Sequence, residues 1–279
     1  MLLEAPVTSP VRITHSGPGS DPADWEQTGV RLDLAESGET ATVTLCRPER
    51  RNAQSPALWR ALAGIGRALP GSVRLVILRA EGVSFSAGLD RAMFTPEGIP
   101  GERTLLDLAT GDGEAVIAGY QEAFTWWRRA DLITVAAVQG HAVGAGFQLA
   151  LACDLRVCAE DAQFSMRETS LGLVPDLAGT KPLVELVGPA RALEICGTGR
   201  WVSAQEAARI GLANLVVPAA ELDAAAVDLG AALLAAPRDA LIETKALLQG
   251  APGRSHEQQQ TAERAAQVRR LRDLSGVGE

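Results

Sequence analysis

The chain has 279 residues, 47% of them hydrophobic, which is enough for one large domain or for a core with an appendage. Its 26 basic and 34 acidic residues give a net charge of −8, which argues against nucleic acid as a partner. No apolar run reaches ~18 residues and residues 1–20 lack a signal-peptide pattern, so we expect a cytoplasmic protein without a membrane span.

The first half of the chain is predicted to alternate strands with helices. Residues 1–24 are rich in Pro, Gly and Ser, which is typical of a mobile tail. In chain order, hydrophobic periodicity then predicts a hairpin over 30–34 and 41–45, a helix over 56–69, a strand over 73–78, a helix over 114–129 and a strand over 133–138. The segment 91–113 carries many Pro and Gly residues around a short helix, and loops of this length are often lids or binding loops.

The second half is predicted to be richer in helices. The expected elements are strands over 155–157, 162–166 and 214–217 and helices over 147–152, 182–187, 190–197, 203–210, 221–236, 238–248 and 257–274. Ser203 is expected to cap its helix, with Glu206 completing a capping box. The four cysteines stand in apolar runs without metal-ligand spacing, so we expect reduced thiols and no metal site.

Two glycine-rich turns carry the candidate chemistry. The strand ending near Val138 leads through Gly144-Ala145-Gly146 into a helix, and a second turn, 84–90, follows the strand over 73–78. The first turn of a helix has N–H groups without intrahelical partners and a partial positive charge, which suits an oxygen that becomes anionic. The N–H groups of Leu89 and Ala145 could therefore form an oxyanion hole. A packing role for these glycines is the alternative that the spacing leaves open.

Other glycine motifs fit less well. A dinucleotide-binding fingerprint would need glycine at position 149, which is Leu149, and no P-loop lysine follows. A nucleophile elbow would place a serine between glycines, and none does so. Ser86 lies near Gly88 but has no obvious histidine partner in the sequence. His141 is interpreted as structural.

Five motifs in order carry a resemblance to a known family. They are RPERRNA (47–53), FSAGLD (85–90), QGHAVGAG (139–146), ACDLR (152–156) and LGLVP (171–175). The chain resembles the enoyl-CoA hydratase/isomerase (crotonase) family from about Val30 to the C-terminal helices. The resemblance implies an α/β spiral of ββα units with two nearly perpendicular sheets over 25–200. It also implies a mainly helical trimerisation region over 201–279, and trimers that often pair into hexamers.

The resemblance further implies the ligand. An acyl-CoA thioester would be held by its carbonyl oxygen between the N–H groups of Leu89 and Ala145, with coenzyme A entering as part of the substrate and no separate cofactor. The expected contacts to substrate and CoA are Arg50, Arg51, Ser86, Ala87, Gly88, Asp90 and Gly144. Exposed loop arginines are, however, usually just solvated.

A carboxyl group beside the hole could take and return an α-proton once the thioester oxygen is stabilised as an enolate. Family members that resemble hydratases have glutamates matching positions 148 and 168, whereas this chain has Gln148 and Glu168. Glutamine can hold a water molecule but cannot act as a base. Members that resemble 3,2-enoyl-CoA isomerases keep only the acid matching 168.

Asp176 is a second candidate acid, because members that resemble dienoyl-CoA isomerases carry acids matching 148, 168 and 176. A turn role after Pro175 is the equally weighted alternative. We therefore expect double-bond isomerisation with Glu168 as base. Hydration with water held by Gln148, and an acyl-CoA-binding protein with little turnover, are the alternatives.

Overall fold

The computed structural model describes residues 22–276. Residues 1–21 of the tail predicted over 1–24 lie outside this range. Residues 22–24 begin a helix instead, α1 (Pro22–Thr28). The side chain of Trp25 on this helix is 2% exposed. Helix α1 therefore starts before the expected core, whose first residue, Trp25, is buried.

Nine strands within the described range form two sheets. They are β1 (Val30–Leu34), β2 (Thr40–Leu45), β3 (Leu75–Ala80), β4 (Ile133–Val138), β5 (His141–Val143), β6 (Leu155–Ala159), β7 (Gln163–Ser165), β8 (Val202–Ser203) and β9 (Leu215–Val217). The larger sheet has the order β1-β2-β3-β4-β6-β9 and the smaller one β5-β7-β8. The β1–β2 and β7–β8 pairs are antiparallel and the others are parallel.

Helices cover both faces of the larger sheet. In chain order they continue as α2 (Pro56–Ala68), α3 (Gly113–Thr125), α4 (Ala145–Ala152), α5 (Thr180–Val187), α6 (Pro189–Thr198), α7 (Ala204–Arg209), α8 (Leu222–Leu234), α9 (Arg238–Gly250) and α10 (His256–Ser275). The main core includes residues of α2 and α4, with Leu62 and Phe147 fully buried. A second core packs Leu222 and Ala226 of α8 against Val135 on the other face.

Sheet topology places the candidate turns together. Strands β3 and β4 are parallel neighbours, so the turns that follow them, 84–90 and 139–146, leave the same edge of the sheet. Within these turns Ser86 pairs with Ala142 in an isolated bridge. The backbone N–H of Ser86 donates to the His141 oxygen at 2.9 Å, and that of Val143 donates to the Ser86 oxygen at 3.0 Å.

Several sequence predictions need correction. The strand predicted over 73–78 lies at Leu75–Ala80, and the predicted turn 139–146 contains the short strand β5. The division at 200/201 does not match the end of the sheets, because β8 and β9 still belong to them and the uninterrupted helical region begins only at Leu222. Strands of two or three residues are too short for a periodic signal.

The capping prediction was half right. Ser203 accepts from the N–H of Glu206 at 3.2 Å and caps α7. The Glu206 carboxylate, however, pairs with the guanidinium of Arg200 instead of returning to the cap. A complete capping box occurs at α10, between Ser255 and Gln258. A charged partner close in sequence thus displaced the predicted side-chain to backbone bond.

No helix among residues 22–276 has the length and hydropathy that crossing a bilayer requires. The four cysteines form no disulfide among residues 22–276, and Cys153 and Cys158 are buried.

A buried ion pair ties α9 to the sheet. The Nζ of Lys245 donates to Asp154 Oδ2 at 2.6 Å and to the Leu132 oxygen at 2.7 Å. The same carboxylate oxygen accepts from the N–H of Thr134 at 2.9 Å. Lys245 is 6% exposed, so its ammonium group depends on these partners for solvation.

Lys245→Met should lower the free energy of unfolding by about 3 kcal/mol, because removing one partner leaves the other charge buried and uncompensated. Urea unfolding followed by circular dichroism measures this change. Arg67→Met is the matched control, since Arg67 and Glu122 form an exposed ion pair that should contribute little. Equal effects of the two substitutions would contradict a stabilising role for the buried pair.

Candidate active site

The two glycine turns approach each other so closely that side chains are excluded between them. Gly88 has φ +86°, a region that favours glycine, and a Cβ there would lie 2.6 Å from the Val143 oxygen. The same Cβ would lie 3.7 Å from the Ala145 nitrogen. A Cβ at Gly146 would lie 2.6 Å from the Ser86 oxygen. Glycines at 88 and 146 therefore allow the segments of Leu89 and Ala145 to come together.

Both predicted amides are free to donate to a ligand. Within residues 22–276, the N–H groups of Leu89 and Ala145 make no hydrogen bond. The neighbouring Gly88 oxygen and Asp90 N–H bond to the backbone of Gln54 at 2.7 and 2.8 Å, which holds the Leu89 peptide in place. Ala145 is the first residue of α4, so its N–H lacks an intrahelical partner and lies at the positive end of the helix dipole. This geometry supports the predicted oxyanion hole, which stays a prediction.

Glu168 lies beside these amides. It begins a short helical turn, Glu168–Leu171, after strand β7, and is 6% exposed. Its Oε1 accepts from Gln148 Nε2 at 2.7 Å, whereas its Oε2 is buried without a hydrogen-bond partner among the described residues. A Cβ at Gly144 would lie 3.1 Å from Glu168 Oε1. Burial raises the pKa of Glu168, and the nearby charge of Asp176 raises it further. A carboxyl group with a raised pKa is suited to proton transfer near neutral pH.

Gln148 makes three hydrogen bonds to other residues of the site. Its Oε1 accepts from the N–H groups of Leu177 at 2.9 Å and Gly179 at 3.3 Å. Its Nε2 donates to Glu168, so one N–H is all that remains. The predicted role of Gln148 as a holder of water stays a prediction, which depends on that one N–H because the carbonyl oxygen already has two donors.

Two cavities meet at Leu89, Ala145 and Glu168. The inner cavity, about 290 Å³, is lined mainly by apolar side chains and by Asp176. The outer cavity, about 470 Å³, adds Ala87, Gly88 and Gly144 from the two turns. An adjoining groove of about 550 Å³ contains Arg50, Arg51, Asp90 and Arg91. The site thus joins an apolar chamber, a narrow point with free amides and a basic groove.

The residues predicted to contact CoA differ in which cavity they line and in whether they are already paired. Ala87, Gly88 and Gly144 line the outer cavity, and Arg50 and Arg51 line the groove. Arg50 donates to the carboxylate of Asp90 at 3.1 Å. No residue in the described part of the chain pairs with the Arg51 guanidinium, which makes it the freer of the two cations.

Two of those predictions require correction at the level of the side chain. The Ser86 hydroxyl donates to the Asn52 oxygen at 2.8 Å and accepts from Gln54 Nε2 at 3.2 Å, so it holds the turn rather than a ligand. Asp90 is 4% exposed, and its carboxylate accepts from Arg50 and, at 3.1 Å, from the N–H of Ala92. A carboxylate would repel a phosphate of CoA, which argues against a direct contact with Asp90. Its ion pair with Arg50 orients that arginine instead.

Three lining residues were missed by sequence reasoning as members of the site. Arg91 lines both the outer cavity and the groove. Trp59 and Tyr120 form an aromatic wall of the inner cavity, with ring centroids 4.8 Å apart. Tyr120 lies in the helix predicted over 114–129, and helical spacing alone does not tell a core wall from a cavity wall. The segment 91–113, expected to be a lid or binding loop, contributes Leu105 and Leu108 to the inner cavity, and the helix predicted over 114–129 contributes Ile117.

The fold and the site define an α/β protein in which two main-chain amides and a buried carboxyl group meet between an apolar chamber and a basic groove. The family model for enoyl-CoA hydratase/isomerase matches residues 36–274. The chain therefore belongs to the enoyl-CoA hydratase/isomerase family, and the predicted family and its fold are confirmed.

Similar proteins and structures agree on the family. A dienoyl-CoA isomerase of Dictyostelium discoideum is 30% identical over 68% of this chain and 65% of its own length. A carnitinyl-CoA dehydratase of Salmonella enteritidis is 36% identical over 68% and 69%. A Thermobifida fusca YX protein provisionally named an enoyl-CoA hydratase, solved with CoA, is 49% identical, has a TM-score of 0.86 and covers 91% of this chain and 97% of its own. The chain spans slightly less than two thirds of the D. discoideum relative.

Proposed function

We propose that the protein is an acyl-CoA enzyme that moves a carbon–carbon double bond, with Glu168 as the base. The observation that carries this proposal is the buried, unpartnered Oε2 of Glu168 next to two free main-chain N–H groups. Donors fixed at the position of a developing enolate oxygen lower the barrier to α-proton removal. The base then returns the proton to the far end of the conjugated enolate. No separate cofactor is needed, since CoA arrives with the substrate.

The cavities support an acyl-CoA substrate. The apolar inner chamber suits an acyl chain, and the groove with Arg50, Arg51 and Arg91 suits the anionic phosphates of CoA. The T. fusca YX neighbour has also been solved with acetoacetyl-CoA, at 48% identity and a TM-score of 0.88. We infer that this chain binds the same class of ligand.

Isomerisation is favoured over hydration because Gln148 cannot supply a second base and its carbonyl oxygen is already bonded. Asp176 lies on the wall of the inner cavity, and burial raises its pKa. We propose Asp176 as the second proton carrier, since two acids with different environments can divide the two roles.

An assembly and a compartment complete the proposal. Exposed apolar side chains on α9 and α10, among them Leu248, Leu271 and Leu274, support self-association, and we propose the trimer or hexamer that the family implies. The cytoplasm is the proposed compartment.

Offering 2-enoyl-CoA and 3-enoyl-CoA separately, and identifying the products by mass spectrometry and NMR, tests the reaction. We expect the 3-enoyl substrate to become 2-enoyl-CoA without change of mass. Hydroxyacyl-CoA formed rapidly from the 2-enoyl substrate would favour hydration instead. Binding of both thioesters without any product would favour an acyl-CoA-binding protein.

A further inference from the structure

Gln148 connects Glu168 to a loop on another wall of the inner cavity. Its Nε2 donates to Glu168 Oε1, and its Oε1 accepts from the N–H groups of Leu177 and Gly179. We propose that Gln148 is a positioning residue that fixes the Glu168 carboxyl group so that Oε2 faces the substrate. This inference rests on the proposed function, in which Glu168 is the base.

The backbone determines which way the Gln148 amide points. A glutamine oxygen only accepts hydrogen bonds, and its nitrogen only donates them. A flipped amide would set its NH₂ group against the two N–H donors of Leu177 and Gly179, leaving all of them unsatisfied. The nitrogen must therefore face Glu168. The loop therefore fixes the Gln148 NH₂ group as the donor to Glu168, whether or not Glu168 is charged.

The loop has features that make this convergence possible. Ala178, between the two donating residues, has φ +62°, which is uncommon for a residue with a Cβ. Gly179 packs so tightly that a Cβ there would lie 2.6 Å from Gln148 Cγ. Strained backbone persists where surrounding contacts over-determine it, and it is concentrated at functional sites. The strained Ala178 and the crowded Gly179 thus belong to a loop that directs two N–H groups to the Gln148 oxygen, which supports a positioning role.

The groups that face Glu168 define what the contact with Gln148 does. Burial raises the pKa of Glu168 and the charge of Asp176 raises it further, whereas the hydrogen bond from Gln148 opposes both by stabilising the charged form. Arg167 shares the outer cavity wall with Glu168, and Cys196 of α6 lies close enough for the charge of Glu168 to help raise the pKa of its thiol. Gln148 is the side chain that donates directly to the carboxylate.

Gln148→Glu removes the donor to Glu168 and puts a carboxyl group in its place. The new carboxylate keeps the shape and can still accept from Leu177 and Gly179, but when charged it has no hydrogen to donate to Glu168. Two adjacent carboxyl groups disfavour ionisation of each other. The acidic limb of the pH profile of kcat for 3-enoyl-CoA isomerisation should therefore move up by about one pH unit or more. KM should change little. The pKa of Glu168, followed by carboxyl ¹³C NMR and identified by its loss in Glu168→Gln, should move in the same direction.

Gln121→Glu is the matched control. Its side chain, on α3, donates to the backbone oxygen of Asp176 at 2.6 Å, so this change adds the same charge near the cavity without touching Glu168. The acidic limb of this variant should stay where it is in the parent protein. An unmoved limb and carboxyl titration in Gln148→Glu, or an equal shift in both variants, would overturn the positioning role.

The two proposals can fail separately. If Glu168→Gln retained full turnover, the proposed base would be wrong, while the NMR titration would still report whether Gln148 controls the carboxyl group. If Glu168→Gln were inactive but Gln148→Glu titrated like the parent, the base would stand and the positioning role would fall.

Discussion

Glu168→Gln should lower kcat for double-bond isomerisation by about 10²–10⁴-fold, the usual contribution of a positioned general base. The glutamine has nearly the same shape, and its oxygen can still accept from Gln148 Nε2, so the site should remain assembled. Affinity for the acyl-CoA should change little, because the proposed CoA and thioester contacts come from other residues. Steady-state kinetics and isothermal titration calorimetry measure the two quantities.

Glu114→Gln provides the matched control for this substitution. Glu114 is exposed in the first turn of α3 and does not line the cavities at the site. Its replacement should leave both kcat and affinity at the parent values. Full activity in Glu168→Gln would remove this residue as the base. A large loss of affinity with kcat unchanged would make it a binding residue instead.

Gly88→Ala should have the second largest effect, a loss of about 10²–10³-fold in kcat, which is typical when one oxyanion donor is removed. The added methyl group would lie 2.6 Å from the Val143 oxygen and must push apart the segments that carry Leu89 and Ala145. The two N–H groups would then no longer converge on one oxygen. Isomerisation kinetics with a 3-enoyl-CoA measure the loss.

Gly101→Ala separates crowding from backbone strain. Gly101 has φ +80°, close to the +86° of Gly88, but a Cβ there would meet nothing within 4 Å. Both substitutions therefore strain the backbone, and only the one at 88 crowds the site. We expect near-parent kcat in Gly101→Ala. Equal kcat losses in the two variants would show that the close contact of the turns is unimportant for turnover.

Much of the fold could be predicted because its strands and helices carry strong periodic or apolar patterns. The strand Ile133–Val138 was placed without error, since six consecutive apolar or β-branched residues precede a Gln-Gly break. The helix from Pro56 was placed from an apolar face and a proline at its first position. Strand β5, in contrast, has three residues, and its pairing with β7 depends on residues distant in sequence.

The candidate site was predicted in outline, because a backbone-amide site depends on small residues at turns, and these are visible in sequence. The partners of its side chains were not visible. Ser86 and Asp90 stand in the expected turn, yet Asn52, Gln54 and Arg50 occupy their polar atoms. The bonds between Gln148 and the loop at 177–179 join residues about thirty positions apart. Only tertiary contact decides such pairings.

A crystal structure of Glu168→Gln with bound 3-enoyl-CoA tests the central claim most directly. The account predicts that the thioester oxygen lies about 2.7–3.1 Å from the nitrogens of both Leu89 and Ala145. It also predicts that the side chain at 168 faces the α-carbon and that the acyl chain enters the chamber lined by Trp59 and Tyr120. A thioester oxygen bonded elsewhere, or an α-carbon beyond reach of residue 168, would contradict it.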